Sequence, residues 1–280
     1  MLTLLLLIPL LGSLIILPMS NTLENQNQMK KIALTTSLIN FFISLFLWYE
    51  FDSSFAHASG NLGGGQFQFV SEYNQLSFCH LNFGVDGISL YFVILTTFVT
   101  PIALLSNYTN IQSLPKGGGK NLKLFLISFL VLETLQICAF VSLDLLLFYI
   151  FFESVLPILF IVIVIFGHGK DRFRSAFLFF LYTLAGSLPM LLSILVIYSY
   201  IGNTDFQLIS LYDISLESQK FLWLGFFVAF AVKTPLYPFI IWLPKAHSDS
   251  PLAGSILLAA TILKLATYGA LCIEMSQTSA

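Results

Sequence analysis

Eight apolar runs, each about long enough to cross a lipid bilayer as a helix, occupy most of this 280-residue sequence. A hydrocarbon core of about 30 Å needs about 20 apolar residues at about 1.5 Å of rise each. The runs, numbered here as spans 1 to 8, are residues 2–19, 32–49, 85–106, 122–141, 144–166, 174–201, 221–241 and 250–275. Only 9% of the residues are charged, too few to cover a water-facing surface. The sequence predicts an all-α polytopic membrane protein with about eight transmembrane helices.

Basic residues are distributed unevenly between alternate loops. One set of loops holds nine of them: Lys30, Lys31, Lys116, Lys120, Lys123, Lys170, Arg172, Arg174 and Lys245. The opposite loops hold only Lys220. Loops rich in lysine and arginine stay on the cytoplasmic or matrix side of a membrane. Both ends of the chain are therefore expected on the outer side.

Two connections have predictable local structure. Spans 4 and 5 are separated only by residues 142–144, which predicts a tight antiparallel hairpin with Asp144 as the N-cap of span 5. In the outer loop, Gln66 to Val70 alternates polar and apolar side chains, which indicates a short strand or hairpin.

Two lysines and two carboxylates interrupt the apolar runs. Lys233 and Lys264 lie near the middle of spans 7 and 8, Glu153 lies about nine residues into span 5, and Glu133 lies mid-way along span 4. A lysine at the centre of a membrane helix costs roughly 2.5–3.5 kcal/mol on insertion scales. These four side chains are therefore predicted to face an ion or proton path instead of lipid.

A series of one glutamate and two lysines can pass protons if the distances between its members change. A lone carboxylate in hydrocarbon takes up a proton, whereas a carboxylate beside a buried lysine can ionise. Pro157 and Pro235 each remove the N–H partner of a backbone carbonyl, at Glu153 and at Ala231 beside Lys233. Freed carbonyls in a membrane must be satisfied by neighbouring groups or by water. Broken helices beside buried charge therefore favour a hydrated cavity.

Each of these residues also has an ordinary structural explanation. Glu133 and Gln136 could form an interhelical hydrogen-bond pair that only holds helices together. Lys233 and Lys264 could snorkel to the headgroups, although their mid-span positions disfavour it. His247, just before span 8, is either an interfacial residue or part of a proton relay, and both interpretations stay open.

No pattern for a metal, a nucleotide or a redox centre is found in the sequence. The three cysteines are far apart and lack metal-binding spacing. The glycine clusters at residues 60–65 and 116–120 lack the spacing that wraps phosphate groups. His57, His80 and His168 are interpreted as solvated surface residues. The chain is therefore expected to bind no cofactor and no metal.

Motifs in spans 3 and 5 to 8 resemble one family. They are Phe83-Gly-Val-Asp-Gly-Ile-Ser-Leu90, Asp144 to Glu153, Phe180 to Ser187, Phe230-Ala-Val-Lys-Thr-Pro235, Trp242-Leu-Pro-Lys-Ala-His247, Ala253-Gly-Ser255 and Leu263-Lys-Leu with Tyr268-Gly269. Together they resemble the antiporter-like subunits of mitochondrial NADH:ubiquinone oxidoreductase, respiratory complex I. His247 favours the subunit 4 branch over the subunit 5 branch.

The resemblance implies a proton-pumping subunit that couples NADH oxidation by ubiquinone to proton translocation. It places the family's intramembrane glutamate on Glu153, its broken-helix lysine on Lys233 and its connecting lysine on Lys264. It places a proton-delivering histidine on His247 and an acidic position of less certain role on Glu133. NADH, FMN, iron–sulfur clusters and ubiquinone belong to other subunits of that complex.

The resemblance also implies a division of the chain. Residues 1–110 would hold spans 1 to 3 with the outer loop 50–84, and residues 111–280 would hold the first five-helix inverted repeat of the family, spans 4 to 8, with a broken span 7. The family's second repeat lies beyond this sequence. Either a separate chain supplies that C-terminal half of subunit 4, which we favour, or the sequence is a truncated product.

The implied setting is the mitochondrial inner membrane, crossed several times, with the N-terminus on the intermembrane-space side. The implied partners are other membrane-arm subunits of complex I, including neighbouring antiporter-like subunits, the chain with the C-terminal half, and membrane lipids, but no nucleic acid. Two alternatives stay open. One is a subunit of a multi-subunit cation/proton antiporter or a membrane-bound hydrogenase, and the other is a scaffold that pumps nothing.

Overall fold

A computed structural model describes residues 1–20, 22–52, 67–76, 79–108, 118–209, 212 and 215–277. The helices are α1 (Leu2–Ile16), α2 (Leu23–Glu50), α3 (Gly87–Ser106), α4 (Gly118–Val141), α5 (Leu145–Phe166), α6 (Arg172–Ile201), α7 (Leu216–Lys233), α8 (Trp242–Asp249), α9 (Leu252–Leu257) and α10 (Leu263–Gln277). Shorter pieces are a helical turn at Phe206–Ile209, a 3-10 helix at Phe239–Ile241 and a π-helix at Leu258–Ile262. One antiparallel hairpin pairs β1 (Gln68–Leu76) with β2 (Cys79–Val85).

Six helical segments in the described part of the chain are long and apolar enough to cross a membrane. They are Asn25–Glu50, Gly87–Ser106, Leu122–Val141, Leu145–Phe166, Arg172–Ile201 and Leu252–Cys272. The predicted multi-pass helical architecture is therefore confirmed. Predicted span 1 is a shorter helix of 15 residues, and predicted span 7 is broken after Lys233. The count of eight stays a prediction.

The hairpin of β1 and β2 leads directly into α3. β1 covers Gln68 to Val70 of the stretch whose alternation indicated a strand, Phe67 precedes the strand, and Gln66 lies outside the described residues. Asp86 caps α3, since its carboxylate accepts from the backbone N–H of Ser89 at 2.6 Å and its own N–H donates to the Ser89 hydroxyl at 2.9 Å. The hairpin is joined to the α4–α5 connection by a bond from the N–H of Leu143 to the carbonyl of Asn82 at 2.9 Å.

The tight α4–α5 connection is present as predicted, and Asp144 is the N-cap of α5. One carboxylate oxygen of Asp144 accepts from the N–H groups of Leu146 and Leu147 at 2.8 and 3.0 Å. The other accepts from the hydroxyl of Thr204, in the loop after α6, at 2.8 Å. A residue expected to cap one helix therefore also fixes the connection between two others.

Close approach of α6 to α7 depends on Gly186. A Cβ atom on this glycine would lie 2.7 Å from the Cβ of Val232, the residue before Lys233. Real carbon atoms do not approach that closely, so any side chain at position 186 would push the two helices apart. The absence of a side chain here sets the position of the end of α7.

Gly186→Ala should therefore destabilise the packing of α6 on α7 by about 1–3 kcal/mol, the usual cost of overpacking. The measurement is the thermal unfolding of the chain in its native membrane. Gly87→Ala is the matched control, because a Cβ there meets nothing within 4 Å. Equal thermal stability of the two variants would show that Gly186 is not required for the close packing of α6 on α7.

Candidate functional site

Lys233 is the last residue of α7 and is almost completely buried, with 2% of its surface exposed. Its Nζ donates a hydrogen bond to the backbone carbonyl of Phe152 in α5 at 2.7 Å. The same ammonium lies 3.1 Å from the centroid of the Phe152 ring. A carbonyl dipole and the face of an aromatic ring both stabilise a cation. The buried lysine is thus tied to α5 through a phenylalanine.

Glu153 follows Phe152 directly and is half-buried. It interacts electrostatically with Lys233, and Ser187 of α6 lies within its hydrogen-bonding reach. Its Oε1 is buried and has no hydrogen-bond partner in the described part of the chain. The ammonium of Lys233 donates to the carbonyl beside Glu153 and not to the carboxylate itself. The structure therefore places Glu153 near Lys233, but the lysine ammonium bonds to a neighbouring carbonyl, and Oε1 of Glu153 has no hydrogen-bond partner among the described residues.

The break after α7 is held by hydrogen bonds within the protein. The carbonyl of Ala231, which Pro235 deprives of its usual partner, accepts from the N–H of Leu236 at 2.9 Å. The next carbonyl, that of Val232, accepts from the indole Nε1 of Trp242 at 2.9 Å. Both carbonyls are thus satisfied by neighbouring protein groups, the first of the two options expected from the sequence.

Trp242 is a structural residue of this site to which the sequence assigned no role. It begins α8, is fully buried, and packs against Phe179 of α6 with 5.3 Å between ring centroids. Its indole therefore links α8 to the last turn of α7. Trp242 lies inside a motif that was quoted only for its resemblance, and an indole next to a proline-broken helix is the signal that could have identified it.

Lys264 lies apart from this pair. It is exposed on α10, two residues after the end of the π-helix at Leu258–Ile262. The predicted span 8 is present as the segment Leu252–Cys272, and the π-helix within it is a feature that the sequence did not predict; such π-turns are common at functional sites. α10 still contacts α7, because a Cβ on Gly269 would lie 2.6 Å from the ring of Phe230. Lys264 therefore sits on a helix that touches the end of α7 but points out of the described fold.

His247 lies on α8, between the membrane-crossing segments, and is half-buried. Its backbone carbonyl accepts from the hydroxyl of Ser255 at 3.2 Å, which joins α8 to α9. Burial lowers the pKa of the imidazole below its ordinary value, so the neutral form is favoured. A neutral imidazole can accept a proton on one nitrogen while it donates from the other. His168, by contrast, is exposed, while His57 and the side chain of His80 lie outside the described residues.

Glu133 is buried in α4, with 1% of its surface exposed. Its Oε1 accepts from the side-chain amide of Asn40 in α2 at 2.7 Å. Gln136 is fully buried, and neither atom of its amide has a partner among the described residues. Glu133 therefore does form an interhelical hydrogen bond, as the structural alternative allowed, but its partner is Asn40 of α2, a residue that the sequence did not single out, and not Gln136.

The part of the chain that carries these charged residues matches a known class of membrane protein. Residues 142–278, which contain Glu153, Lys233, His247 and Lys264, match the family described as NADH:quinone oxidoreductase/Mrp antiporter, transmembrane region.

The chain is homologous to NADH-ubiquinone oxidoreductase chain 4. It is 59% identical to that protein of Mycosarcoma maydis over 270 residues, 96% of this chain and 52% of the relative. It is 46% identical to that of Arabidopsis thaliana over 267 residues, 95% of this chain and 50% of the relative. The chain thus spans about half the length of the relatives it matches.

Two solved structures share the fold. One is respiratory complex I from Thermus thermophilus with bound NADH, with a TM-score of 0.72, 25% identity, and coverage of 98% of this chain and 51% of that one. The other is the archaeal membrane-bound sulfane sulfur reductase, with a TM-score of 0.74, 20% identity, and coverage of 98% and 41%. The second comparison shows similarity of fold alone.

Trp242→Phe tests the link between α8 and α7. The ring is kept and the Nε1 donor is lost, so the buried carbonyl of Val232 loses its partner, at a cost of about 1–3 kcal/mol. The variant should lower the thermal stability of the folded chain by that amount. Trp223→Phe, at an indole on α7 that is 42% exposed, is the control and should leave the stability unchanged. An unchanged Trp242→Phe variant would mean that the indole bond does not hold the break.

Proposed function

We propose that this chain is the N-terminal half of chain 4 of mitochondrial NADH:ubiquinone oxidoreductase and that it translocates protons in the membrane arm. The homology to chain 4 supports the assignment to that enzyme. The observation that carries the proton-translocating role is the burial of Lys233 at the end of broken α7, within electrostatic reach of Glu153. NADH, FMN, iron–sulfur clusters and ubiquinone would be bound by other subunits, so the chain contributes to the reaction without a redox centre of its own.

In the proposed mechanism, the distance between Glu153 and Lys233 controls their protonation. Movement of α5 against α7 that brings the unpartnered Oε1 of Glu153 onto the Lys233 ammonium stabilises both charges. Separation leaves the ammonium with only the Phe152 carbonyl and ring, so it favours the neutral forms and transfer of a proton onward. The broken end of α7 allows such a movement without disrupting the rest of that helix.

The other candidate residues take supporting roles in this proposal. His247, outside the membrane-crossing segments and biased towards the neutral imidazole, accepts protons and delivers them towards Lys233. Lys264 carries them beyond the described fold. Glu133 serves as a second buried carboxyl group at the α2–α4 contact.

The proposed organisation follows the same family. Residues 1–110 hold the first three helices and the outer loop 50–84, and residues 111–280 form the first five-helix repeat. The basic loops face the matrix, and the N-terminus faces the intermembrane space of the mitochondrial inner membrane. The alternatives of a cation/proton antiporter or hydrogenase subunit predict other co-purifying subunits, and NADH dehydrogenase subunits in the native complex would exclude them.

Glu153→Gln and Lys233→Met should each lower NADH-driven proton pumping roughly tenfold or more, since each removes one charge of the pair, and about 1.4 kcal/mol of lost stabilisation is a factor of ten. The measurement is proton uptake by sealed inner-membrane vesicles relative to NADH oxidation. Ser154→Ala is the matched control, because this neighbouring hydroxyl donates only to the Ile150 carbonyl of its own helix. Unchanged pumping in both charge variants, with normal assembly, would support the scaffold alternative.

We also propose that the exposed face around Lys264 is covered by the rest of subunit 4. A charged side chain that faces lipid from the middle of a span costs roughly 2.5–3.5 kcal/mol, and a polypeptide neighbour with polar groups removes that cost. The neighbour would be a separate chain with the C-terminal half or a continuation of this one, together with other membrane-arm subunits and lipids at the remaining surface.

A photo-crosslinking residue placed at position 264 should react with a polypeptide of the second half of subunit 4, identified by mass spectrometry of the native complex. The same residue placed at Leu192, 63% exposed on α6, gives a comparison surface. Equal amounts of a second polypeptide with the remaining helices would establish a split subunit. Cross-links at position 264 to lipid alone would contradict the proposed cover and the onward role of Lys264.

A further inference from the structure

The α2 helix turns its polar side chains inward. Ser37, Asn40 and Ser44, spaced at three and four residues, are all fully buried although α2 is otherwise largely exposed. Ser44 shares a hydrogen bond of 2.7 Å with the hydroxyl of Thr97 on α3. One turn away, the amide of Asn40 donates to Oε1 of Glu133 on α4 at 2.7 Å. A buried polar contact therefore joins α2 to α4 outside the matched region 142–278.

Around that contact, four buried atoms have no hydrogen-bond partner among the described residues. They are Oδ1 of Asn40, Oε2 of Glu133, and Oε1 and Nε2 of Gln136. Glu133 and Gln136 are three residues apart on α4 and so share one side of the helix. An unsatisfied polar atom is expensive inside a membrane, where lipid tails offer no hydrogen bonds. These four atoms, on three neighbouring residues, would be satisfied by a bound molecule or ion that both donates and accepts hydrogen bonds.

The mixed chemistry of these atoms favours water over a cation. Three of the four are oxygen acceptors, which would suit either occupant, but the fourth is an amide nitrogen whose hydrogens would repel a cation. A buried water makes about three hydrogen bonds, typically two to four, to otherwise unsatisfied groups. It can donate to the Glu133 and Asn40 oxygens and accept from the Gln136 amide.

We propose that Asn40, Glu133 and Gln136 form a buried water-binding site between α2 and α4, in which Asn40 is a positioning residue for Glu133. The bond from Asn40 fixes one oxygen of the carboxyl group and leaves the other directed to the bound water. The functional meaning rests on the proposed proton translocation, because the water supplies a hydrogen-bond partner through which Glu133 exchanges a proton. The water site itself stands on the unpartnered atoms alone.

The first test is a high-resolution electron cryo-microscopy map of the intact native complex. We expect density for an ordered water about 3 Å from Oε2 of Glu133 and from the Gln136 amide. Gln136→Met keeps a side chain of similar size without polar atoms, so it should remove that density while the Asn40–Glu133 contact remains. A dry site, or a direct bond between Glu133 and Gln136, would overturn the proposal.

The second test concerns Asn40 and uses an exchange of the two partners. Asn40→Leu and Glu133→Gln should each lower NADH-driven pumping roughly tenfold, the loss expected when a hydrogen bond to a charged group is removed. The double variant Asn40→Asp with Glu133→Gln places the carboxyl group on α2 and the amide on α4, and should recover pumping to within about threefold of wild type. Ser128→Ala, which removes a hydroxyl bonded only within α4, is the control.

The two tests separate the two proposals. A double variant that assembles but pumps no better than the single variants would show that Asn40 only fills space. If Glu153→Gln leaves pumping intact while the map shows the water and Gln136→Met removes it, the proposed function fails and the water site stands. If Glu153 and Lys233 prove essential for pumping but the map shows no water at the site, the proposed function stands and the water site fails.

Discussion

The hydrogen bond from the Lys233 ammonium to the Phe152 carbonyl is the contact around which the second half of the fold is arranged. It fixes the end of α7 against α5 at a depth where a bare lysine would be costly. Because the donor ends its helix, the chain beyond must turn within the protein, and the carbonyls exposed by that turn need partners. Leu236 and Trp242 supply them, and Gly186 lets α7 come close enough to α6 for the geometry to hold. The helix break at Pro235, the buried indole and the glycine contact thus all lie around one buried charge.

Much of this architecture could be predicted from the sequence. Apolar length predicted the crossing helices, and the three-residue connection predicted the α4–α5 turn with Asp144 as its cap. These features are local, because they depend on residues close together in the chain. The assignment of Glu153 and Lys233 to one site was implied by the family resemblance. The cost of burying a charge predicts that each needs a partner, but with two glutamates and two lysines in the spans it does not say which residues pair.

Other contacts could not be predicted, because helices that are apolar on every side give no signal of their rotation. Nothing near Asn40 in the sequence indicates that it faces Glu133, 93 residues further on, and Gln136 was the nearer candidate. The π-helix before Lys264 has the composition of ordinary helix, so only tertiary packing distinguishes it. Lys264 was expected to face a proton path, but among the described residues its side chain is exposed on α10. The hydrogen bond from the Trp242 indole to the Val232 carbonyl could not be predicted either, because it depends on the position of α8 relative to the end of α7.

The two buried acidic residues illustrate two solutions to one problem. Glu153 lies beside a cation that is itself held by a carbonyl and a ring, so a small displacement changes the electrostatic energy of both groups. Glu133 has an amide as its hydrogen-bonded partner, and an amide keeps its charge state whatever the displacement. A pair of charges is therefore sensitive to movement between helices, whereas a carboxyl group with an amide partner is sensitive to hydration. Under the proposed function the two residues would therefore respond to different changes, Glu153 to movement of α5 against α7 and Glu133 to water that enters between α2 and α4.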